Sequence, residues 1–271
     1  MKYEVHTPCP DLQVFIKCFW TLKSDDTAHP ERQRILPDGC MELIFHYGDL
    51  YRQYLEDGTY ILQPRSFIFG QISRYLDIEP TGTTGIIAAR FMPDGLFAFL
   101  PIDPRLLENK ATDIKELFGA KGEKLEMQVI SAESDQQRLE IIEKFLLAEL
   151  TAPQNISTVT KNCVETIILS CGQLEVSALA AKMKLNRRSL ERQFSKLIGL
   201  SPKQLSKVVR LQATLKSLSQ NKIHSLTSLA YEHGYFDQSH FIKEFKEFTG
   251  LSPKIFYSDN LQLATLFANE D

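Results

Sequence analysis

Two stretches near the end of the sequence combine basic and amide side chains with a regular apolar spacing. The outward face of a helix over 187–198 would carry Arg187, Arg188, Glu191, Arg192 and Lys196. The same face over 238–249 would carry Gln238, Ser239, His240, Ile242, Lys243 and Lys246. Arginine binds guanine through two hydrogen bonds, and basic side chains nearer the edge of a groove bind phosphate. These residue types predict contacts to the bases and phosphates of a DNA duplex.

The two stretches differ in charge. In the second, Glu244 and Glu247 offset Lys243 and Lys246, so we expect that helix to be nearly neutral. The first stretch should therefore supply more of the attraction to a polyanion. The free N–H groups at the start of the second helix suit a phosphate, which predicts a positioning role for it.

Each stretch is expected to be the second helix of a helix-turn-helix unit. Apolar residues at spacings of three and four would hold these helices, and they are Leu190, Phe194 and Leu197 in the first and Phe241, Phe245 and Phe248 in the second. Asn186 and Asp237 precede them as N-caps. Support helices are predicted over 176–183 and 225–233, with turns at Lys184 and Gly234.

The two units repeat one another. Leu179-Ala180 recurs as Leu229-Ala230, and the run Gly199-Leu200-Ser201-Pro202-Lys203 recurs from Gly250 to Lys254. Between the copies, Ser201 and Pro202 open a predicted helix that runs to about Gln220. Such a helix spans roughly 28 Å, and successive major-groove faces lie about 34 Å apart. A connector of this length could hold both units over adjacent groove segments.

Residues from about 160 to 257 resemble the DNA-binding domain of the AraC/XylS family of bacterial transcription regulators. The most specific stretch is Leu229–Tyr257, which reads LAYEHGYFDQSHFIKEFKEFTGLSPKIFY. The resemblance implies that the outward residues of both second helices contact bases and phosphates. The sequence departs from the family at Lys184, where glycine is usual. If that position needs a positive φ, lysine costs about 1 kcal/mol there.

The charge distribution separates two halves. Residues 1–150 contain 16 Lys and Arg against 24 Asp and Glu, whereas 176–257 contain 14 against 5. A basic block beside an acidic one indicates that only the C-terminal half meets a polyanion. Residues 151–160, which are polar and include Pro153, are the predicted linker between an N-terminal domain over 1–150 and a DNA-binding domain over 161–271.

The N-terminal half reads as α+β. Short strands are predicted over 13–22, 41–46, 50–55, 66–71 and 85–91, with turn residues between them. Helices are predicted over 95–100, 114–118, 124–130 and 135–150. The apolar stripe of the last helix (Leu139, Ile142, Phe145 and Leu146) has two interpretations, a docking face onto the strands or a dimer contact.

Several segments of this half resemble, less specifically, the N-terminal sensor-like domain of one subgroup of the same family. They are Arg34–Gly39, Leu43–Phe45, Phe69-Gly70 and Arg90–Gly95. The resemblance implies a small cupin-like β-barrel followed by helices, with an effector as its ligand. The two Pro-Asp-Gly segments are equally well explained as simple turns. The predicted fold is thus α+β, a β-rich barrel with helices and then an all-α domain of two helix-turn-helix units joined by a long helix.

Enzyme signatures are missing from the sequence. It contains no P-loop, no Gly-x-Ser-x-Gly elbow and no His-Glu-x-x-His. The early histidines, His6, His29 and His46, are far apart, and His46 fits a pocket or surface residue better than a metal ligand. The five scattered cysteines predict reduced, mostly buried thiols. We therefore expect no catalytic residues, no metal and no cofactor; the alternative is a ligand-processing cupin-like enzyme with a helical scaffold tail.

The expected function is regulation of transcription in the bacterial cytoplasm, without a membrane span or secretory signal. The expected partners are double-stranded promoter DNA and a small-molecule effector. RNA polymerase and a second copy of the chain are the further partners that such a regulator implies.

Overall fold

Apolar runs in the first 113 residues form two antiparallel sheets. The computed structural model describes residues 1–25, 31–150, 158–219 and 225–258. The strands are β1 (Lys2–His6), β2 (Ile16–Ser24), β3 (Gln33–Ile35), β4 (Glu42–His46), β5 (Tyr51–Tyr54), β6 (Tyr60–Leu62), β7 (Ser66–Phe69), β8 (Leu76–Pro80), β9 (Thr84–Phe91) and β10 (Ala111–Asp113). One sheet has the order β1-β2-β9-β4-β7-β10, and the other β3-β8-β5-β6. Over the described residues these sheets face each other without closing into the ring of hydrogen bonds that a barrel requires.

The larger sheet is the middle layer, which its sequence explains. Every residue of β9 is buried, and alternate side chains of a strand point to opposite faces. Ile87 and Ala89 pack into the core that the sheet shares with helices, whereas Ile86 and Ala88 pack toward the smaller sheet. A strand covered on both faces reads as a continuous apolar run, as GIIAARF does.

Three helices cover the outer face of the larger sheet. They are α1 (Ile114–Phe118), α2 (Ala120–Ser131) and α3 (Asp135–Glu149), preceded by 3₁₀ turns at Leu96–Ala98 and Pro104–Leu107. Leu139, Ile142 and Leu146 of α3 are buried in the core beneath the sheet, and Phe145 packs against it. The apolar stripe of α3 therefore docks onto the larger sheet, as the first of the two interpretations of the sequence predicts.

The rest of the described chain is helical. Its helices are α4 (Thr158–Leu169), α5 (Val176–Lys182), α6 (Arg187–Ile198), α7 (Pro202–Ser219), α8 (Leu226–Glu232), α9 (Gln238–Thr249) and α10 (Pro253–Ser258). They enclose two cores. Leu205 of α7 belongs to the first, with α4, α5 and α6, whereas Val208 and Leu211 belong to the second, with α8 and α9. The predicted order of a β-rich half and a helical half with a long connector is confirmed.

Some predicted boundaries lie outside the described residues. Of the predicted linker, residues 151–157, with Pro153, lie there, and 158–160 belong to α4. The same is true of His29, of Gln220 at the predicted end of the connector, and of residues 259–271. Among the helices of the described ranges, none has the length and hydropathy needed to cross a membrane.

Candidate nucleic-acid interface

The first helix-turn-helix unit consists of α5, a tight turn and α6. Lys184 occupies the turn with φ at +55°. Its N–H donates to the carbonyl of Ala181 (3.0 Å), and the N–H of Leu185 donates to that of Ala180 (3.0 Å). Asn186 then caps α6, because its Oδ1 accepts from the N–H of Ser189 at 2.8 Å. The positive φ considered for Lys184 is therefore present.

The second unit repeats this geometry with a glycine in the turn. Gly234 has φ at +71°, its N–H donates to Tyr231 (3.1 Å), and the N–H of Tyr235 donates to Ala230 (2.9 Å). Asp237 caps α9 by accepting from the N–H of His240 at 2.7 Å. The two turns thus share one hydrogen-bond pattern, and the first adopts it despite a side chain that disfavours it.

The outward face of α6 is strongly basic. Arg187 is exposed and pairs with Glu191 one turn later, Nε to Oε1 at 2.8 Å. Arg188, Arg192 and Lys196 are exposed, and none of them has an ion pair within the described parts of the chain. An unpaired surface cation can bind phosphate or base without first breaking an internal contact.

The predicted residues of α9 divide into exposed and locally engaged ones. Ser239 and Lys243 are exposed. The Gln238 side chain is half-buried and accepts from the Thr227 hydroxyl at 2.8 Å. His240 is exposed, but its Nδ1 accepts from the N–H of Phe236 at 3.3 Å. The engaged pair therefore stabilises the start of α9.

Glu244 does not belong to the outward face. It is 2% exposed and faces α7, where its Oε1 accepts from Nη2 of Arg210 at 2.7 Å. Lys207 Nζ lies 3.6 Å from its other oxygen. The expectation that Glu244 neutralises the outer face of α9 is wrong, because its charge is balanced by α7. Lys207 also pairs with the exposed Glu247 at 3.1 Å. On the outward face of α9, Glu247 is therefore the one carboxylate that offsets the charges of Lys243 and Lys246.

A basic cleft separates the two second helices. Its volume is about 570 Å³, and it is lined by residues 172–177 and by residues of α6, α7 and α9. The basic lining residues (Arg187, Lys203, Lys207, Arg210 and Lys243) outnumber the acidic ones (Glu175, Glu244 and Glu247), although Lys207 and Arg210 are paired with Glu244. Arg187 of α6 and Lys243 of α9 therefore line one cleft with a small excess of positive charge. A surface of this kind fits the phosphate backbone of a nucleic acid.

Comparison with known proteins matches the two halves of the chain to two different families. Residues 179–258 match a family described as a helix-turn-helix domain. Over 78 residues the chain is 36% identical to an uncharacterized HTH-type transcriptional regulator of Haemophilus influenzae, a match that covers 29% of this chain and 26% of that protein. The C-terminal half carries an AraC-type helix-turn-helix domain. Residues 4–113 match a domain of unknown function (DUF6597).

Two solved structures resemble this chain at low sequence identity and low TM-score. ToxT from Vibrio cholerae is 13% identical with a TM-score of 0.45, covering 88% of this chain and 97% of ToxT. The C-terminal domain of AraT, a response regulator from Geobacillus stearothermophilus, is 20% identical with a TM-score of 0.37, covering 40% of this chain and 89% of that domain. Each TM-score is below 0.5, so these are distant likenesses of shape.

One exposed aromatic of the AraC-type domain is not among the predicted site residues. Phe236 is 84% exposed directly before the N-cap of α9. Burying apolar surface is favourable, so a phenylalanine held in water beside a recognition helix suits an apolar partner such as a thymine methyl group. The sequence gives a partial signal, two adjacent aromatic residues at 235 and 236, and the structure shows that Tyr235 is the buried one.

The N-terminal half contains a largely apolar cavity between the two sheets, about 70 Å³ in volume. Its lining residues include Trp20, Leu36, Ile44, Phe69 and Ile86 together with the polar Asp38, Glu42, His46, Gln63 and Arg90. His46 is 1% exposed, and burial lowers its pKa to about 4. It is thus a pocket residue, as the sequence favoured. Over the described residues no group of three or more His, Cys, Asp or Glu could hold a metal ion.

None of the five cysteines forms a disulfide within the described chain, and most are buried. Cys18, Cys40 and Cys163 are buried, Cys9 is half-buried and Cys171 is exposed. Burial raises the pKa of the Cys40 thiol well above its ordinary value. A thiol with a raised pKa is a poor nucleophile, which agrees with a packing role.

A short segment of the N-terminal half joins the cavity to the AraC-type domain. Leu36 lines the cavity and is also buried in the core of the second unit. The carbonyl of Pro37 accepts from Nε2 of Gln212 in α7 at 2.6 Å, and Asp38 lies 3.5 Å from Arg90. The first Pro-Asp-Gly segment is therefore more than a turn, because its neighbours belong to both halves.

Proposed function

We propose that this chain is a transcription regulator that binds promoter DNA by placing α6 and α9 in successive segments of the major groove. The observation that carries the proposal is the placement of both second helices on one connector. The 18 residues of α7 span about 27 Å, somewhat less than the roughly 34 Å between successive groove faces. Because Leu205 packs with the first unit and Val208 with the second, α7 fixes their separation.

The proposal divides the contacts between the units. Arg188 and Arg192 are the candidates for reading guanine, because they are exposed and without an ion pair over the described residues. The basic cleft between α6 and α9 would hold the phosphate backbone that passes between the two groove segments. Ser239 and Lys243, with Phe236 before them, would contact the second segment.

The N-terminal half would control this binding through an effector in the cavity between its sheets. Support comes from Leu36, which is a wall of the cavity and part of the core beneath α9. A ligand that favours one position of Leu36 would change DNA affinity by its differential affinity for the two arrangements. The same proposal sets the domain limits at 1–150 and 161–271. It also includes contacts to RNA polymerase, dimerisation and a cytoplasmic location, and it assigns no catalytic step to the chain.

The test is binding of the intact chain to a pool of genomic duplexes, followed by affinity measurements on a selected sequence. We expect the logarithm of affinity to fall linearly with the logarithm of salt concentration. Arg188→Ala or Arg192→Ala should lose about 1–3 kcal/mol on the selected duplex. Lys124→Ala, which removes an exposed charge from α2, is the matched control and should change little.

The measured losses of affinity distinguish a base contact from a phosphate contact. A loss confined to the selected sequence identifies a base contact, whereas an equal loss on every duplex identifies a phosphate contact. A flat salt response, or no binding at low salt, would contradict the proposal.

A further inference from the structure

The cavity between the two sheets holds more negative than positive charge among its described lining residues. Nε of Arg90 lies 2.7 Å from Oε1 of Glu42 and 3.5 Å from Oδ2 of Asp38. Nε1 of Trp20 donates to the same Glu42 oxygen at 2.9 Å. One guanidinium therefore faces two carboxylates. The Arg90 side chain is 3% exposed, whereas those of Asp38 and Glu42 remain 22% and 19% exposed, so the carboxylates are the accessible partners.

His46 adds a further hydrogen-bond acceptor to this cavity. The Gln63 amide is oriented by Gln53, since its Nε2 donates to Oε1 of Gln53 at 3.4 Å. Oε1 of Gln63 then faces Nε2 of His46 at 3.2 Å, and on this hydrogen bond we assign the ring proton to Nε2. Nδ1 is left as a lone-pair acceptor, buried and without a partner in the described chain. Buried polar atoms are nearly always satisfied, so this one indicates a missing donor.

Size and surface restrict what that donor can be. The volume of about 70 Å³ is roughly half that of an engineered cavity of about 150 Å³ that binds benzene. Scaled from benzene with its six carbon atoms, about three non-hydrogen atoms would fit. Trp20, Ile44, Phe69 and Ile86 supply an apolar wall. A neutral apolar guest would leave the carboxylates and Nδ1 without a new donor, and an anion would add a third negative charge beside Asp38 and Glu42.

We propose that this cavity binds a small organic ammonium ion, its charged head toward Glu42 and Asp38 and its short apolar chain against Trp20 and Ile44. The ion would be the effector of the proposed function, on which this inference rests. Its position beside Leu36 places it one side chain from the core of the second helix-turn-helix unit.

The experiment is calorimetric titration of the full chain with three probes of similar size at matched ionic strength: ethylammonium, ethanol and acetate. We expect saturable one-to-one binding of ethylammonium. Ethanol should bind at least about tenfold more weakly, a loss of about 1.4 kcal/mol, and acetate should not bind. Binding of ethanol or acetate as tight as that of the ammonium ion, or saturable binding of none, would overturn the proposal.

Variants locate the binding site. Glu42→Gln should weaken the binding of ethylammonium at least about tenfold and leave that of ethanol unchanged, whereas Glu116→Gln, an exposed position on α1, should alter neither. Since Glu42→Gln disturbs a buried charge, Ile72→Trp is a second variant. Ile72 is a half-buried lining residue in a loop, and a tryptophan there should fill the cavity and abolish binding. Undiminished binding by a folded Ile72→Trp variant would place the ion elsewhere and overturn the proposal.

DNA binding is measured on the same preparations. Salt-dependent DNA binding without ammonium binding would overturn this inference and leave the proposed function standing. Ammonium binding that depends on Glu42, in a chain that does not bind DNA, would support the cavity assignment and contradict the proposed function.

Discussion

Arg34 in β3 donates from Nη1 to the carbonyl oxygen of Thr249, the last residue of α9, at 2.8 Å. Its Nε and Nη2 are held by the two oxygens of Asp77 at 2.7 and 2.8 Å, and its guanidinium lies 4.0 Å from the ring centre of Tyr75. The last carbonyls of a helix have no partner within it, and a cation is favourable there. The smaller sheet thus holds the end of the second recognition helix.

Replacing Arg34 by glutamine should destabilise the chain. The substitution removes a charge-assisted hydrogen bond and leaves Asp77, 15% exposed, without its cation. We expect the free energy of unfolding in urea to fall by about 2 kcal/mol. Arg105→Gln is the matched control, because its pair with Asp103 is 59% exposed on the arginine side; little change in the free energy of unfolding is expected there. Equal losses of unfolding free energy in the two variants would show that the hydrogen bond from Arg34 to Thr249 contributes nothing to stability.

Lys184 in the turn of the first unit offers a stabilising substitution. Its φ of +55° matches the +71° of Gly234 at the equivalent turn, and glycine adopts this conformation without strain from a side chain. Lys184→Gly should therefore raise the free energy of unfolding by about 1 kcal/mol, measured by urea titration followed by circular dichroism.

A neighbouring lysine provides the control for that change. Lys182 is the last residue of α5, and its Nζ donates to the Thr166 hydroxyl at 3.5 Å, so glycine there loses this contact and up to about 1 kcal/mol of helix propensity. Lys182→Gly should therefore lower stability while Lys184→Gly raises it. A loss of stability in both variants would mean that the Lys184 side chain makes a compensating contact.

The sequence predicts the two recognition helices to the residue, because local signals define them. Asn186 and Asp237 start α6 and α9, and Gly199 and Gly250 end them with φ of +84° and +72°. Caps, left-handed glycines and an apolar stripe act within a few residues, so a pattern can be read without knowing the fold. Glu244 could have been placed in the same way, since it lies three residues after Phe241 and four before Phe248, on their buried face.

The N-terminal half is less predictable, because its decisive contacts are distant in sequence. The short strands β3, β6 and β8 carry weak patterns and form through pairing with β5 and with one another. The Glu42–Arg90 pair joins residues 48 positions apart. The cavity exists only once β2, β4 and β9 lie side by side opposite the smaller sheet. Nothing local in the sequence indicates such an arrangement.

Glu244 should act as a positioning residue for α9. Its pair with Arg210 joins the recognition helix to the connector, and the two side chains are 2% and 14% exposed. Removing one partner of a buried pair leaves the other uncompensated, so Glu244→Gln should cost about 2–3 kcal/mol of unfolding free energy. Glu247→Gln, which alters a 53% exposed partner of Lys207, should cost less than about 0.5 kcal/mol.

A double substitution tests whether the cost arises from the unpaired charge. Glu244→Met combined with Arg210→Met removes both charges and should recover most of the stability. If the double variant is as unstable as Glu244→Gln alone, side-chain packing rather than charge holds α9 on α7.

Phe236 should contribute to DNA affinity and little to folding. At 84% exposed it buries almost no surface in the free chain, so Phe236→Ala should leave the unfolding midpoint unchanged. Its affinity for a selected duplex should fall about fivefold, or about 1 kcal/mol, if the ring packs on a thymine methyl group. Leu169→Ala, 85% exposed on α4, is the matched apolar control in fluorescence anisotropy. Identical affinities for the two variants would remove Phe236 from the interface.

His46 should make stability depend on pH in a defined window. Burial lowers its pKa from 6.5 to about 4 in the folded chain. The unfolded chain therefore takes up this proton first as the pH falls. The contribution of the neutral ring is complete above about pH 6.5 and is lost progressively between 6.5 and 4, by up to about 3 kcal/mol.

The measurement compares urea unfolding of the parent chain and His46→Gln at intervals from pH 7.5 to 4.5. Carboxylates titrate in both proteins, so the difference between the two curves isolates the imidazole. The parent should lose stability faster than the variant as the pH falls. Parallel curves for the parent and His46→Gln would mean that the ring is already charged, or solvated, inside the cavity. In that case Nδ1 of His46 would not be the unpartnered acceptor that we assign to the cavity.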